Sequence, residues 1–292
     1  MPLREAFADI VQKEVPLAPF THLRLGGPAE YMITPRTPQE LGALLVACSR
    51  EKIPVRVLGV GTNLLVSEEG VRGAVLRLSA PAFTEITVDG KRVRAGGGAA
   101  LADVIAESTK NGLAGFETLV GITATVGGAL RYNAGDRSGE MADHVKRVEV
   151  MDAAGQIHVR DRADLRFGDH TSDIEDPVVL AVEFELIKDR PDAIVKRLRR
   201  AWINRNAAQP FSHQAAVRIF KNPRGFEASV LIERAGLAKT RVGAAEISER
   251  NGNFVVAHPG TTARDVLQLI DQVQQRVRET SGVQLERELN VW

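Results

Sequence analysis

One cysteine, Cys48, is present in 292 residues, so the chain forms no internal disulfide and has no CxxC pair to hold a metal. Cys48 follows Leu44, Leu45 and Val46 in an apparent helix, where a lone thiol is expected to pack as a small buried hydrophobe. Charge excess is also missing. The 38 Lys and Arg against 37 Asp and Glu leave a net charge of +1, which sets up no global field to draw in nucleic acid or an anionic membrane. Residues 1–15 carry Arg4, Glu5, Asp9, Lys13 and Glu14, breaking the apolar stretch a secretory signal needs, and no segment approaches the ~18 apolar residues of a membrane span. A cytoplasmic location is expected. No fixed-period repeat or low-complexity tract is present either.

What is there reads as mixed α and β. Leu3, Phe7, Ile10 and Val11 recur at helical spacing, predicting an amphipathic helix over 3–14. Thr37, Pro38 and Glu40 are a helix-start signature, predicting a helix over 38–51. Short β-branched runs at 55–58, 71–78, 85–88 and 92–95 predict strands, and 101–110 predicts a helix. Residues 145–151 and 156–160 flank Asp152-Ala-Ala-Gly155, predicting a hairpin, and 178–187 predicts a long strand. Helical patterns follow at 189–206, 227–236 and 262–280, the last ending at Gly282, with a loop over 207–226 and a strand near 254–257. The 189–206 segment is rich in Lys196, Arg197, Arg199, Arg200 and Arg205; a solvated helix face is the plainer reading than a nucleic-acid patch.

Two glycine-bearing segments offer chemistry. Gly59-Val-Gly-Thr-Asn63 follows a predicted strand and presents backbone N–H groups without Cβ bulk, but it is neither GxGxxG nor GxxxxGK[ST] and alone is equally an ordinary turn. Downstream, Gly121-Ile-Thr-Ala-Thr-Val-Gly-Gly128 runs into Ala129 to Gly135. Two such segments suit an extended pyrophosphate gripped by backbone donors, which points to a dinucleotide. Gly96-Gly-Gly98 precedes a helix and reads as a tight turn.

Six segments taken in order carry a resemblance: Thr21-His-Leu-Arg-Leu-Gly-Gly-Pro28, Leu58 to Val66 (LGVGTNLLV), Val126-Gly-Gly-Ala with Asn133-Ala-Gly135, Phe220-Lys-Asn-Pro223, Leu231 to Leu237 (LIERAGL), and Gly282 to Glu288 (GVQLERE). Together they resemble the signature segments of the UDP-N-acetylenolpyruvoylglucosamine reductase family, in its shorter class. The resemblance implies an α+β protein with a two-subdomain FAD-binding fold of the vanillyl-alcohol-oxidase/PCMH type plus a C-terminal α+β substrate domain, divided here at 1–78, 79–188 and 189–292. It implies non-covalent FAD, NADPH as reductant, a UDP-sugar substrate, and a monomer without nucleic-acid, membrane or metal partners. It places the cofactor at Gly59, Val60, Gly61, Thr62, Asn63, Leu64, Thr125, Gly127, Gly128, Asn133, Ala134 and Gly135, and the substrate at Lys221 and Asn222.

In the family, hydride from the reduced flavin reaches the enolpyruvyl methylene carbon, and the adjacent carbon becomes carbanionic. A cation near the carboxylate and a positioned proton donor complete the reaction. The resemblance maps the C-terminal glutamate onto Glu288. Where the family has its arginine, Phe167-Gly-Asp-His places His170, which lacks the forked double donor. Where it has a serine or cysteine donor, Val217-Arg-Ile-Phe-Lys-Asn-Pro places Arg218, and a guanidinium, with a pKa above about 12, gives up no proton near neutrality. Ile122-Thr-Ala-Thr125 and Asn251 are two further departures, the latter where a histidine is usual. An exchange of roles fits these residues, with Arg218 gripping the carboxylate and His170 or Glu288 handling the proton. The alternative is a divergent paralogue that binds FAD but reduces another substrate or none.

Overall fold

The structure, a computed structural model, describes residues 3–136, 138–210 and 215–292. The chain divides into two compact units interleaved in sequence: residues 1–14, 30–60 and 72–204, and residues 15–29, 61–71 and 205–292.

The first unit is built on two sheets. One has the order Val11–Pro16, Pro28–Ile33, Val71–Leu76, Val55–Val57, its last pair parallel. The helix Pro38–Arg50 packs Leu41, Leu44, Leu45 and Cys48 into a core with Ile33, Ala74 and Leu76. As expected, Thr37 caps it, the hydroxyl accepting from Glu40 N at 3.2 Å. The Glu40 carboxylate, however, accepts from Arg36 N at 2.6 Å instead of closing the reciprocal box. Burial pushes the Cys48 thiol up to about 11, with the Glu51 charge adding to it, which agrees with an inert packed thiol.

The second sheet is antiparallel, with the order Ile157–Asp161, Val145–Met151, Val178–Glu185, Arg92–Gly96, Ile86–Asp89. Its central strand pairs Val179 with Val150 and Ala181 with Glu149, leaving Leu180 as an extra residue. That bulge reverses the alternation, so Val178 and Leu180 enter the first core while Val179, Val182 and Phe184 enter the second with Val104, Ile105 and Val126. Asp152 makes the predicted turn, its Oδ1 accepting from Ala154 N and Gln156 N at 2.9 Å each. Gly155, at φ +74°, comes so near the helix that a Cβ there would lie 2.7 Å from the Gly42 carbonyl oxygen.

In the second unit an antiparallel sheet of order Ala216–Arg218, Phe254–Ala257, Ala245–Ile247, Arg241–Val242 is covered by the helix Ala263–Ser281. Val266, Leu269, Ile270, Val273 and Val277 recur at helical spacing and are fully buried. Thr262 and Asp265 form a capping box, and Gly282 ends the helix in the left-handed conformation. The segment 61–71 returns into this unit, where Leu64–Leu65 pairs in parallel with Asn290–Val291.

Two expectations are corrected and one strand is added. The helix over 3–14 is limited to Leu3–Ala6, and Val11–Pro16 is an edge strand. Pro16 explains this, because it disfavours helical backbone at Val15 yet is tolerated on a sheet edge. The strand Pro28–Ile33 was not anticipated. The loop over 207–226 contains the strand Ala216–Arg218, while residues 211–214 of that expectation lie outside the described residues.

Candidate functional site

The segment Gly59–Asn63 leaves the strand Val55–Val57 after Leu58 donates its N–H to the Leu76 carbonyl at 2.8 Å. Among the described residues, the backbone N–H groups of Gly59, Val60 and Gly61 meet no protein acceptor. Gly59 lies against Thr125, whose Oγ1 would be 2.8 Å from an added Cβ. Gly61 is at φ +68°, and a Cβ there would lie 2.3 Å from the Phe20 carbonyl oxygen. Asn63 and Leu64 are held by the protein itself: Asn63 Nδ2 donates to the Glu288 carbonyl at 3.1 Å, and the buried Leu64 pairs with Asn290.

Thr125 opens the helix Val126–Arg131, its hydroxyl accepting from Gly128 N at 3.2 Å. Gly127 N donates to the Gly97 carbonyl at 2.8 Å, and Val126 N to the Ala99 carbonyl at 2.9 Å. The donors of Gly127 and Gly128 are therefore spent within the protein. This segment lends its shape rather than its N–H groups, for a Cβ on Gly128 would meet Thr125 Oγ1 at 3.2 Å and, outside its own helix and chain neighbours, nothing else within 4 Å. Asn133, 1% exposed and at φ +40°, donates to Glu140 at 2.6 Å and the Gly168 carbonyl at 3.1 Å and accepts from Ala142 N at 3.0 Å. Ala134 N donates to the Ala129 carbonyl at 2.8 Å, and Gly135 pairs with Glu140 in a short ladder. Arg131 spends its guanidinium on the Ile174, Asp176 and Pro177 carbonyls, and burial pushes it below its ordinary value while Asp176 opposes the shift.

In the second unit Arg218 ends the strand Ala216–Arg218 and Glu288 lies beside it, because Glu288 N donates to the Ile219 carbonyl at 2.8 Å. Arg218 Nε is 3.1 Å from Glu288 Oε2, with side chains 28% and 10% exposed. The contact is an ion pair rather than an aligned hydrogen bond. Lys221 pairs with Glu286, and Asn222 Oδ1 accepts from Ala228 N at 3.0 Å, at the start of the helix Ala228–Arg234. His170 belongs to the first unit, at φ +50° in the tip between Phe167–Gly168 and Thr171–Ser172, with Nε2 3.7 Å from Asp169. Sequence reasoning missed Gly97 and Gly98 as close-approach positions: an added Cβ would lie 2.0 Å from the Val179 carbonyl and 1.8 Å from the Leu78 carbonyl. It missed Asn253 as well.

Residues 209–292 match the C-terminal domain of UDP-N-acetylenolpyruvoylglucosamine reductase, and residues 29–160 match an FAD binding domain. The UDP-N-acetylenolpyruvoylglucosamine reductase of Moorella thermoacetica is 38% identical over 95% of this chain and 91% of its own length. The chain belongs to the UDP-N-acetylenolpyruvoylglucosamine reductase family. The enzyme named UDP-N-acetylenolpyruvoylglucosamine reductase 2 from Symbiobacterium thermophilum is likewise 38% identical, over 97% of this chain and 92% of its own. The crystal structure of UDP-N-acetylenolpyruvylglucosamine reductase from Thermus caldophilus superposes with a TM-score of 0.82 at 38% identity, covering 97% of this chain and 98% of that one. The fold class is thus the expected one, FAD-binding plus reductase C-terminal domain, and the chain is an FAD-dependent oxidoreductase with NADPH as reductant. The residues present fit FAD: within the first unit, unspent N–H groups at Gly59 and Val60 suit a pyrophosphate, and the open side of Gly128 admits one closely. No helix of the described residues is long and apolar enough to cross a membrane.

Proposed function

We propose that this chain reduces the enolpyruvyl ether of UDP-N-acetylenolpyruvoylglucosamine to UDP-N-acetylmuramate, in the cytoplasm and as a step of peptidoglycan precursor synthesis, with the roles of its cation and acid exchanged. The observation that carries the exchange is the Arg218–Glu288 pair, with Arg218 Nε 3.1 Å from Glu288 Oε2. In this reading residues 1–78 and 79–188 are the FAD subdomains and 189–292 the substrate domain. Gly59, Val60, Gly61 and Thr62 hold the pyrophosphate, Gly128 gives it room, and Thr125, Gly127, Asn133, Ala134 and Gly135 keep that wall in shape. FAD, once reduced, supplies the hydride. Arg218 grips the substrate carboxylate through a charge-assisted pair and stabilises the negative charge that develops beside it. Glu288 orients that guanidinium in the free protein and, once the substrate carboxylate takes its place on Arg218, takes up and delivers the proton, with His170 the second candidate for the proton.

The test is single-turnover reoxidation of the reduced flavin by the enolpyruvyl sugar nucleotide, without oxygen. Reoxidation is expected; a flavin that stays reduced would favour the divergent paralogue. Acid precipitation of the holoprotein is expected to leave a colourless pellet, with FAD in the supernatant. A yellow pellet would show a covalent tether instead.

Lys221 and Asn222 separate on the same reading. Lys221 is the substrate contact, exchanging Glu286 for a phosphate oxygen, whereas Asn222 starts a helix. Lys221→Ala is expected to weaken nucleotide-sugar binding by calorimetry without lowering thermal stability. Asn222→Ala is expected to cost about 1 kcal/mol of stability, the usual scale of a lost helix cap. Unchanged affinity in Lys221→Ala removes it from the substrate site.

A further inference from the structure

Asn253 is 4% exposed, and its carboxamide meets both backbone groups of one residue: Oδ1 accepts from Phe220 N at 2.9 Å and Nδ2 donates to the Phe220 carbonyl at 2.8 Å. The N–H only gives and the carbonyl only takes, so the amide has one orientation that satisfies both. The main chain of Asn253 adds a third bond, its carbonyl accepting from Ile219 N at 3.0 Å. The strand Ala216–Arg218 pairs with Phe254–Ala257 as far as Arg218 opposite Phe254. Beyond that point the side chain of Asn253 stands in for the next ladder residue.

On its other side the same segment holds the C-terminal stretch 286–288, with an isolated bridge between Phe220 and Arg287. The Ile219 carbonyl accepts from Glu288 N at 2.8 Å, and Lys221 N donates to the Glu286 carbonyl at 3.0 Å. Residues 219–221 thus lie between the Asn253 clamp and the backbone of Glu286 to Glu288, and Arg218 enters directly before them. Asn253 is itself placed by Asn251, whose Oδ1 accepts from Asn253 N at 3.0 Å and whose Nδ2 donates to the Ala208 carbonyl at 2.9 Å.

We propose that Asn253 is a positioning residue, its amide clamp on Phe220 setting the register in which Arg218 faces Glu288. The proposal rests on the exchanged roles of those two residues. A displacement of about 1 Å at a reacting group is enough to cost ~10²-fold in rate. A two-point grip on the residue between the pair is a direct means of preventing it.

The decisive variant is Asn253→Asp. Its protonated carboxyl reproduces the amide, accepting from Phe220 N and donating to the Phe220 carbonyl. Its ionised form sets an oxygen against that carbonyl oxygen in a buried place. Both effects favour the neutral form and raise the pKa above its unfolded value of about 3.9. The clamp is therefore present at low pH and lost as pH rises through the raised value. The expected result is a single-turnover rate near wild type at low pH that falls by ~10²-fold at higher pH through one new ionisation. Wild type and Asn253→Ala are expected to lack that ionisation, with alanine uniformly slow and its FAD content normal. Amide exchange at Ile219, Phe220 and Glu288, followed without substrate, is expected to be faster in the alanine variant.

Variants as fast as wild type at every pH would overturn the proposal. So would unchanged exchange at Phe220 and Glu288. If the wild type itself fails to reoxidise its flavin, the functional reading falls, and amide exchange alone still decides the clamp. If alanine does not fold, the aspartate variant compared with itself across pH decides the clamp by both readouts.

Discussion

Arg218→Ser is expected to slow flavin reoxidation by the enolpyruvyl sugar nucleotide by about 10²- to 10³-fold, the usual cost of removing one donor from a site that stabilises developing charge. The substitution restores the residue type that the family carries there. On sequence alone it looks like a repair. The structure makes it a loss, because the guanidinium whose Nε is 3.1 Å from Glu288 Oε2 disappears. Glu288→Gln is expected to cost about 10²- to 10⁴-fold, the range of a lost general acid. The double variant is expected to lose little more than the worse single one, as residues acting as a unit do. Reoxidation that survives Arg218→Ser undiminished would falsify the exchange and leave Arg218 a bystander.

The obvious compensation, His170→Arg, is expected to recover only part of that rate. His170 is at φ +50° in a two-residue hairpin tip, and its neighbour Gly168 is tied to Asn133 Nδ2 at 3.1 Å. An arginine placed there inherits a left-handed backbone that suits few residues with a β-carbon. The hairpin was formed around a different side chain.

Local signals in the sequence carried the helices well. Thr37 with Pro38, and the period of Val266, Leu269, Ile270, Val273 and Val277 closed by Gly282, are readable because each depends on residues within one or two turns. The apolar spacing of Leu3, Ile10 and Val11 misled for the opposite reason. A helix and a turn followed by an edge strand bury Leu3 and Ile10 equally, and only Pro16 distinguished them. Gly59 to Gly61 and Gly127 to Gly128 were visible as glycine. Their bonding was not: the donor of Gly127 goes to the carbonyl of Gly97, distant in sequence, and that of Gly128 to the hydroxyl of Thr125, which the resemblance had placed at the cofactor. Asn133 likewise looked like a cofactor ligand. It proves to be a buried knot whose amide is satisfied by Glu140, Gly168 and Ala142. Asn253 gave no signal of its role, because a carboxamide that completes a β-ladder is defined by what it faces.

Gly61→Val and Gly128→Val are expected to fail in different ways. At Gly61 the backbone is left-handed, φ +68°, and a β-carbon would sit 2.3 Å from the Phe20 carbonyl oxygen and 2.9 Å from Thr21 Cα. Both obstacles are main chain, so neither yields as a side chain would. The left-handed conformation alone costs about 1 to 2 kcal/mol for an L-residue, and the clash adds to it. Gly61→Val is therefore expected to unfold at distinctly lower temperature even without flavin. At Gly128 a β-carbon meets Thr125 Oγ1, at 3.2 Å, and outside its own helix and chain neighbours no other atom lies within 4 Å of it. The apoprotein is expected to unfold within a few degrees of wild type, while the purified protein loses most of its FAD. Differential scanning calorimetry on stripped protein, with flavin content measured on the unstripped sample, separates the two. Normal flavin content in Gly128→Val would remove that glycine from the cofactor wall. An unshifted melting temperature in Gly61→Val would mean that the 15–29 segment gives way more easily than its contacts with this loop imply.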